Sequence, residues 1–178
     1  MDAGRPFRIC EYDPSWPTLA DIFALDLRKL GNGVAAVHHI GSTAIPGLIA
    51  KPVIDLLPVV DCMDWLDERR GRLETLGYEW LGENGIEGRR FCIGRGIGSV
   101  AVHTHFFKAG SPQIVRHLAF RDYLRVHPEW AIEYARQKLR AIEAANGDRH
   151  AYQAAKSEWM MTAEIHAMAW FSGSGQRW

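Results

Sequence analysis

A turn between two apolar runs carries residue types that suit phosphate and metal chemistry. Gly41, Ser42 and Thr43 lie between the runs, and the second run holds one acid, Asp55, thirteen positions after Ser42. Glycine lets the backbone approach phosphate oxygens closely, and the amides and hydroxyls that follow can donate hydrogen bonds to an anion. A carboxylate beside bound phosphates can hold Mg²⁺ or Mn²⁺, which neutralises their charge. We therefore predict a phosphate-binding turn with Asp55 as metal ligand and catalytic carboxylate.

Each of these residues also has a purely structural interpretation. A Gly-Ser pair after a strand is often only a turn, and Asp55 could be an acid hydrogen-bonded to neighbouring amides. A lone carboxylate in an apolar strand is costly unless it is paired or ligated, which favours a site. Lys51 lies between the turn and Asp55 and could add a positive charge for the same phosphates.

Three histidines lie close to this chemistry in the sequence or in the expected sheet. His103 and His105 are two positions apart in an apolar run, so a strand would point both side chains to one face. Such a pair would suit Zn²⁺ or another transition metal, although buried, hydrogen-bonded histidines are the common alternative. His39 directly precedes the turn region, and we expect it to position the turn rather than bind a metal.

The surrounding periodicity predicts an α+β (mixed α/β) domain in which strands come first and helices follow. Residues 1–171 are expected to form a single domain with a helical part from about residue 112, and residues 172–178 are expected to be a loose tail. The expected elements are, in order, a helix over 13–30, strands over 34–40 and 52–60, a helix over 61–76, two or three antiparallel strands over 78–108, and helices from 112 onward.

Composition narrows the class of protein. The chain has 178 residues, and its 21 Lys and Arg balance its 21 Asp and Glu. This balance removes the general attraction of a basic protein for nucleic acid, so nucleic acid is not expected as the main partner. Three cysteines without a CxxC pair fit a reducing compartment. No apolar run is long enough to span a membrane, and a cytoplasmic protein with no membrane partner is expected.

Several segments in order resemble the GrpB family of predicted nucleotidyltransferases, in the polymerase-beta-like nucleotidyltransferase superfamily. These segments are HIGSTAIPG at 39–47, AKPVID at 50–55, GY at 77–78, HTH at 103–105, FRDYLR at 120–125 with HP at 127–128, and YQAAK at 152–156. The resemblance implies the nucleotidyltransferase fold, a mixed twisted sheet flanked by helices. It also implies that the Gly-Ser turn holds nucleotide phosphates and that the next strand bears metal-binding acids.

Two further phosphate contacts, Arg121 and Lys156, are implied by the matching segments. Tyr152 and Lys156 are four positions apart and so share a helix face, where a ring could meet a base and a cation could meet a triphosphate. Most other charges in the helical part, Lys138 among them, are expected to be solvated.

One departure from the superfamily pattern leaves the function open. The pattern places a second acid two residues after the first, and this chain has Leu57 there. We expect a nucleotidyltransferase that moves a nucleotidyl group from a nucleoside triphosphate to an unknown acceptor with metal assistance. The alternatives are altered chemistry, or a catalytically inactive module that binds a nucleotide or coenzyme. Similar domains are fused to dephospho-coenzyme-A kinase in some bacteria, which associates the alternative with coenzyme A.

Overall fold

The computed structural model describes residues 9–145 and 149–174, with residues 145, 149–150 and 152–156 described by their backbone only. The helices are α1 Trp16–Arg28, α2 Met63–Asp67, α3 Arg70–Thr75, α4 Pro112–Val126, α5 Pro128–Ala145 and α6 Arg149–Gly173. The strands are β1 Val34–Ile40, β2 Val53–Val60, β3 Tyr78–Trp80, β4 Arg90–Ile97 and β5 Val100–Lys108, and a 3₁₀ turn covers Ser42–Ala44. The predicted α+β class is confirmed.

The five strands form one mixed sheet in the order β1-β2-β5-β4-β3. β2 and β5 are parallel, and the other neighbouring pairs are antiparallel. β2 is a nearly unbroken run of Val, Ile and Leu because both of its faces are covered. In this register Asp55 lies opposite Ile40 on one side and beside His103 on the other.

Helices cover both faces of the sheet. The apolar stripe of α1 packs Trp16, Phe23 and Leu27 onto one face, against Ile54, Leu56 and Val60 of β2 among others. The other face, which carries Leu57, Val59 and Phe107, lies under Ile114 and Leu118 of α4. Side chains alternate along a strand, so Asp55 shares the α4 face with Leu57, and His103 and His105 share it with Phe107.

The C-terminal helices α5 and α6 pack against α4. Tyr123 of α4, Tyr134 of α5 and Ala167 of α6 belong to one apolar cluster that also includes Ile45 and Leu48 beside the turn. This cluster docks the helical part onto the segment that carries the turn. α6 continues to Gly173, two residues into the expected tail, and residues 175–178 lie outside the described residues.

The single helix expected over 61–76 is two short helices, and that prediction is wrong in this detail. α2 begins after Cys62 and ends at Asp67, and α3 starts at Arg70. At the break, the Arg69 guanidinium donates to the Trp65 carbonyl at 2.8 Å, and Asp67 accepts two bonds from Arg90 of β4. The break therefore coincides with one local bond and one tertiary ion pair, although the apolar periodicity continues through it.

Candidate functional site

Gly41 brings the backbone of the turn against the Asp55 carboxylate. Its backbone has φ 71°, and a Cβ added there would lie 2.5 Å from Asp55 Oδ2. Both the conformation and the close approach require glycine. The turn that follows is one 3₁₀ turn, whose first amides have no carbonyl within the turn to bond. The expected juxtaposition of turn and acid is therefore present.

The other side of the turn is held by His39 and Thr43. The Thr43 hydroxyl donates to the Val53 carbonyl at 3.0 Å and therefore accepts from His39 Nε2, 2.9 Å away. Burial lowers the pKa of His39 to about 4, so the ring is neutral at pH 7. The Thr43 side chain, 1% exposed, ties the turn to β2. This contact matches the positioning role expected of His39 and leaves Thr43 only its amide for a ligand.

Asp55 receives two histidine side chains on one of its oxygens. His105 Nε2 lies 3.3 Å and His103 Nδ1 lies 3.6 Å from Asp55 Oδ1. Both histidines therefore point to the same face, as the two-residue spacing predicts. Burial raises the pKa of Asp55, but the contacts with His103 and His105 outweigh it and hold that pKa well below its usual value. Asp55 is thus ionised at neutral pH, with Oδ2 facing the turn.

Arg89 supports His105 from the far side. Its guanidinium Nη1 lies 3.2 Å from His105 Nδ1, and its Cζ lies 4.9 Å from the centre of the Phe91 ring. The side chain is 6% exposed. Sequence reasoning missed it, although strand alternation would have placed residue 89, just before β4, on the same face as Phe91.

Lys138 of α5 contacts the turn at Ser42. Its Nζ donates to Ser42 Oγ at 2.7 Å and to the Ile49 carbonyl at 2.9 Å, and it lies 4.2 Å from the centre of the Tyr134 ring. The residue is 2% exposed, so the expectation of a solvated charge is wrong. Tyr134 and Lys138 are four positions apart and so share a helix face, as Tyr152 and Lys156 do. The same spacing rule could therefore have predicted a contact between Tyr134 and Lys138.

A cavity of ≈ 290 Å³ opens beside these groups. Its lining residues are Ile40, Gly41, Ser42, Asp55, His105, Arg116, His117, Phe120, Tyr134, Met160 and Glu164. Glu164 adds a second carboxylate, but Arg116 donates to both of its oxygens, at 2.6 and 2.9 Å. His117 Nδ1 donates to the Gln113 carbonyl at 2.7 Å, and burial lowers the pKa of His117 to about 4.

The donor set at Asp55 suits a cation that brings further ligands of its own. Mg²⁺ commonly uses one or two carboxylates together with substrate phosphates and water, and Asp55 Oδ2 faces the turn where such phosphates would lie. Among the described residues, no group of three or more His, Cys, Asp and Glu side chains could hold a metal ion. Zinc at the His103 and His105 pair therefore gains no support from this geometry.

The remaining predicted residues lie at different distances from the cavity. Lys51 precedes β2 and is not among the residues that line the cavity. Arg121, 8% exposed, donates to Asp122 through two nitrogens and to the His39 carbonyl through the third. It therefore reaches the back of the turn rather than the cavity. The side chain of Lys156 lies outside the described residues. Phosphate binding by these three residues stays a prediction.

Leu57, at the position where the superfamily pattern has a second acid, is buried in the apolar core. Leu57, on the same face as Asp55, is fully buried and packs in the cluster with Ile40 and Leu118. An acid there would lie inside the apolar core beneath α4 rather than in the cavity. The site therefore offers a single carboxylate from β2.

The chain is an α+β domain whose mixed sheet has helices on both faces and presents a carboxylate to a glycine-serine turn. The chain belongs to the GrpB family: the family model described as GrpB protein matches residues 6–165. The predicted resemblance is thus confirmed. Within the described residues, no helix is both long and apolar enough to cross a membrane.

Similar proteins include one solved structure and several bacterial proteins. The crystal structure of conserved protein GrpB from Enterococcus faecalis is 33% identical, with a TM-score of 0.85, and the match covers 92% of this chain and 99% of that one. UPF0157 protein YqkA of Bacillus subtilis is 38% identical over 95% of this chain, which spans 49% of the length of YqkA. A dephospho-CoA kinase of Mycobacterium bovis is 30% identical over 94% of this chain and 47% of its own length.

Proposed function

We propose that this protein binds a nucleoside triphosphate in the cavity beside Gly41 and transfers its nucleotidyl group to an acceptor. The observation that carries the proposal is the contact between turn and acid: Asp55 Oδ2 lies where a Cβ at position 41 would be only 2.5 Å away. A phosphate seated on the turn would therefore lie within reach of a cation held by Asp55. Nucleotidyl transfer needs this arrangement because the charge on the phosphates must be neutralised as they are positioned.

Each group at the turn has a distinct task in this proposal. Gly41 allows the approach, and the Ser42 and Thr43 amides donate to phosphate oxygens. Lys138 fixes the Ser42 hydroxyl and places a positive charge behind it. Bound Mg²⁺ or Mn²⁺ would be held by Asp55 and by the phosphates, and it would stabilise the negative charge that develops in the reaction.

The reaction itself is an in-line displacement at the α-phosphorus. The acceptor oxygen forms the new P–O bond, the bond to the β-phosphate oxygen breaks, and pyrophosphate leaves. The acceptor proton passes to water. Arg116 keeps the cavity favourable for phosphate because it neutralises Glu164, whose free carboxylate would repel an anion.

The size of the cavity indicates how a nucleotide would lie. Ligand pockets usually measure roughly 300–1,000 Å³, and the ≈ 290 Å³ beside Gly41 is at the lower end of this range. A groove of ≈ 520 Å³ adjoins it across Arg116 and Glu164 and is lined largely by apolar residues of α4 and α6, including Met161 and Ile165. We place the triphosphate in the cavity and the nucleoside towards the groove.

Binding and transfer test the proposal in turn. ATP, GTP, CTP and UTP are screened by thermal shift with Mg²⁺, with Mn²⁺ and with a chelator, because a specific ligand raises the melting temperature by mass action. The α-labelled form of each nucleotide that binds is then incubated with the protein and a cell extract. We expect metal-dependent stabilisation, and transfer that Asp55→Asn abolishes. Absence of metal-dependent binding for all four nucleotides would remove the proposal.

The buried Leu57 favours a second candidate function, a module that binds a nucleotide or coenzyme without turning it over. Two-metal transfer requires acids that Leu57 does not supply, and the similarity to a dephospho-CoA kinase makes coenzyme A precursors the natural ligands to test. The same thermal-shift screen is extended to dephospho-coenzyme A and coenzyme A. Stabilisation that is insensitive to chelator, without transfer of label, would favour this module.

A further inference from the structure

The Arg89 guanidinium contacts the ring nitrogen of His105 that faces away from Asp55. Arginine has five N–H donors and no acceptor, so a ring nitrogen that bonds to it must accept. Arg89 Nη1 and His105 Nδ1 are 3.2 Å apart. A hydrogen bond from Arg89 to Nδ1 uses the lone pair of that nitrogen, which belongs to the tautomer whose ring proton is on Nε2. That nitrogen is the one 3.3 Å from Asp55 Oδ1.

The rest of the Arg89 side chain is fixed in this orientation. Its Nε donates to the Glu83 carbonyl at 3.1 Å and its Nη2 to the Asn84 carbonyl at 2.6 Å. Asn84 adopts φ 44°, a left-handed conformation, where the loop before β4 folds back over the guanidinium. Within residues 9–145 and 149–174 no carboxylate pairs with Arg89, so its charge is directed at carbonyls and at His105. The guanidinium has little freedom to leave Nδ1.

We propose that Arg89 is a positioning residue for Asp55, acting through His105, an inference that rests on the proposed function of that carboxylate. His105 donates to Oδ1 and holds the carboxylate plane so that Oδ2 faces the Gly41 turn. The two oxygens then have separate tasks, one bound to histidine and one presented to the cation. His105 Nε2, protonated, is a donor and not a metal ligand. This arrangement follows the general rule that groups behind a metal ligand fix its orientation.

The competing interpretation is that Arg89 only ties down the loop that contains Glu83 and Asn84. Under that interpretation, loss of Arg89 would loosen the loop but leave the His105 ring unchanged. Arg90 provides a neighbouring control because it is the next residue and bonds to Asp67 at 2.7 and 2.8 Å and to the Arg89 carbonyl at 3.2 Å, and none of these bonds involves the His105 ring. Arg90→Met removes a guanidinium from the same segment without touching His105.

Histidine ring ¹⁵N spectra at neutral pH, recorded without nucleotide or metal, read the tautomer directly, and His105→Gln assigns the signal. We expect the Nε2-protonated tautomer in the wild type, in Arg90→Met and in Arg89→Lys, which retains a donor. We expect a mixture of tautomers in Arg89→Met. Protonation of His105 at Nδ1 in the wild type, or an unchanged spectrum in Arg89→Met, would overturn the inference. An Nδ1-protonated wild type would overturn the inference even if Arg89→Met does not fold.

Mn²⁺-dependent ATP binding provides the functional arm. Loss of the supporting group behind a metal ligand typically costs about tenfold or more in metal affinity. We therefore expect Arg89→Met to lose affinity by about that factor and Arg89→Lys to lose less. Arg90→Met should keep the wild-type affinity. An equal loss in Arg89→Met and Arg90→Met would assign Arg89 to the loop alone. If no variant and no wild type binds nucleotide while the tautomer follows Arg89, the proposed function fails and the Arg89–His105–Asp55 linkage stands.

Discussion

Replacing Gly41 by alanine perturbs the contact on which the proposed function depends, and Gly47 in the same loop provides its control. Gly41 and Gly47 both have a positive φ, 71° and 75°, but Gly41 combines it with ψ −169°, a pair of angles that essentially only glycine adopts. A positive φ costs a residue with a Cβ roughly 1–2 kcal/mol, so both substitutions carry at least that cost. A Cβ at 47 meets nothing within 4 Å, whereas a Cβ at 41 lies 2.5 Å from Asp55 Oδ2.

The difference between the two variants therefore combines the backbone strain at position 41 with the contact between turn and acid. To accommodate a methyl group at position 41, the Asp55 side chain must rotate or the turn must move, which strains a packed site and breaks the bond to His105. Strain of this kind and a lost buried hydrogen bond each cost about 1–3 kcal/mol. We expect Gly47→Ala to lower the free energy of unfolding by about 1–2 kcal/mol, and Gly41→Ala by at least about 2 kcal/mol more.

Urea unfolding followed by tryptophan fluorescence measures both variants, and calorimetry measures Mn²⁺-dependent ATP binding. A double-mutant cycle with Asp55→Ala then isolates the pairwise contribution. Removing the carboxylate should relieve the part of the extra cost that the contact with Oδ2 causes, while the backbone strain at position 41 remains. Equal destabilisation by the two glycine variants, or a coupling energy of zero between Gly41→Ala and Asp55→Ala, would refute the geometry.

Three further predictions concern the neighbours of this contact. Position 57 is fully buried, so Leu57→Asp should lower the free energy of unfolding in urea by on the order of 3 kcal/mol or more. The same variant should not raise nucleotidyl transfer, and a gain in transfer activity would contradict the buried position of this side chain. Lys138→Met keeps the aliphatic part of the side chain but removes the charge beside Ser42. ATP affinity measured by calorimetry should therefore fall about tenfold. Arg140 is exposed on the same helix, so Arg140→Met is the control and should leave the affinity unchanged. Burial lowers the pKa of His39 to about 4, below the unfolded value of about 6.5, so the unfolded state binds the proton first and stability should fall by up to about 3 kcal/mol as pH drops from about 6.5 to 4. His39→Gln should reduce that pH dependence in urea unfolding and leave the contribution of His117, whose pKa burial also lowers to about 4. Identical slopes in the two proteins would exclude His39 as a source.

Local spacing was sufficient to predict the floor of the site. β1 spans the predicted residues, β2 begins one residue later than predicted, and His103 and His105 share a face as a period of two requires. Gly41 directly follows β1 and Asp55 lies on the neighbouring strand β2, fourteen positions later, so short-range rules capture them. The membership of the chain in the GrpB family was likewise predictable, because its segments occur in order.

The supporting groups were not predictable because they depend on how distant elements dock. Lys138 bonds to Ser42 across 96 positions, and its burial follows from the docking of α5 onto the turn, which helix periodicity does not specify. Arg89 meets His105 only because β4 and β5 pair in one register. Arg121 was predicted at the phosphates from its segment alone, whereas its guanidinium is engaged by Asp122 and the His39 carbonyl.

The cavity is assembled from two parts of the chain that are far apart in sequence. Its floor comes from residues 40–55 and His105, and its roof from residues 116–164. A ligand held between them would cross-link the N-terminal and C-terminal halves, so occupancy should suppress any state in which the helical half alone has melted. Thermal unfolding of the ligand-bound protein would then be more cooperative and would occur at a higher temperature. The steepness of the melting curve would therefore report whether a ligand occupies the cavity.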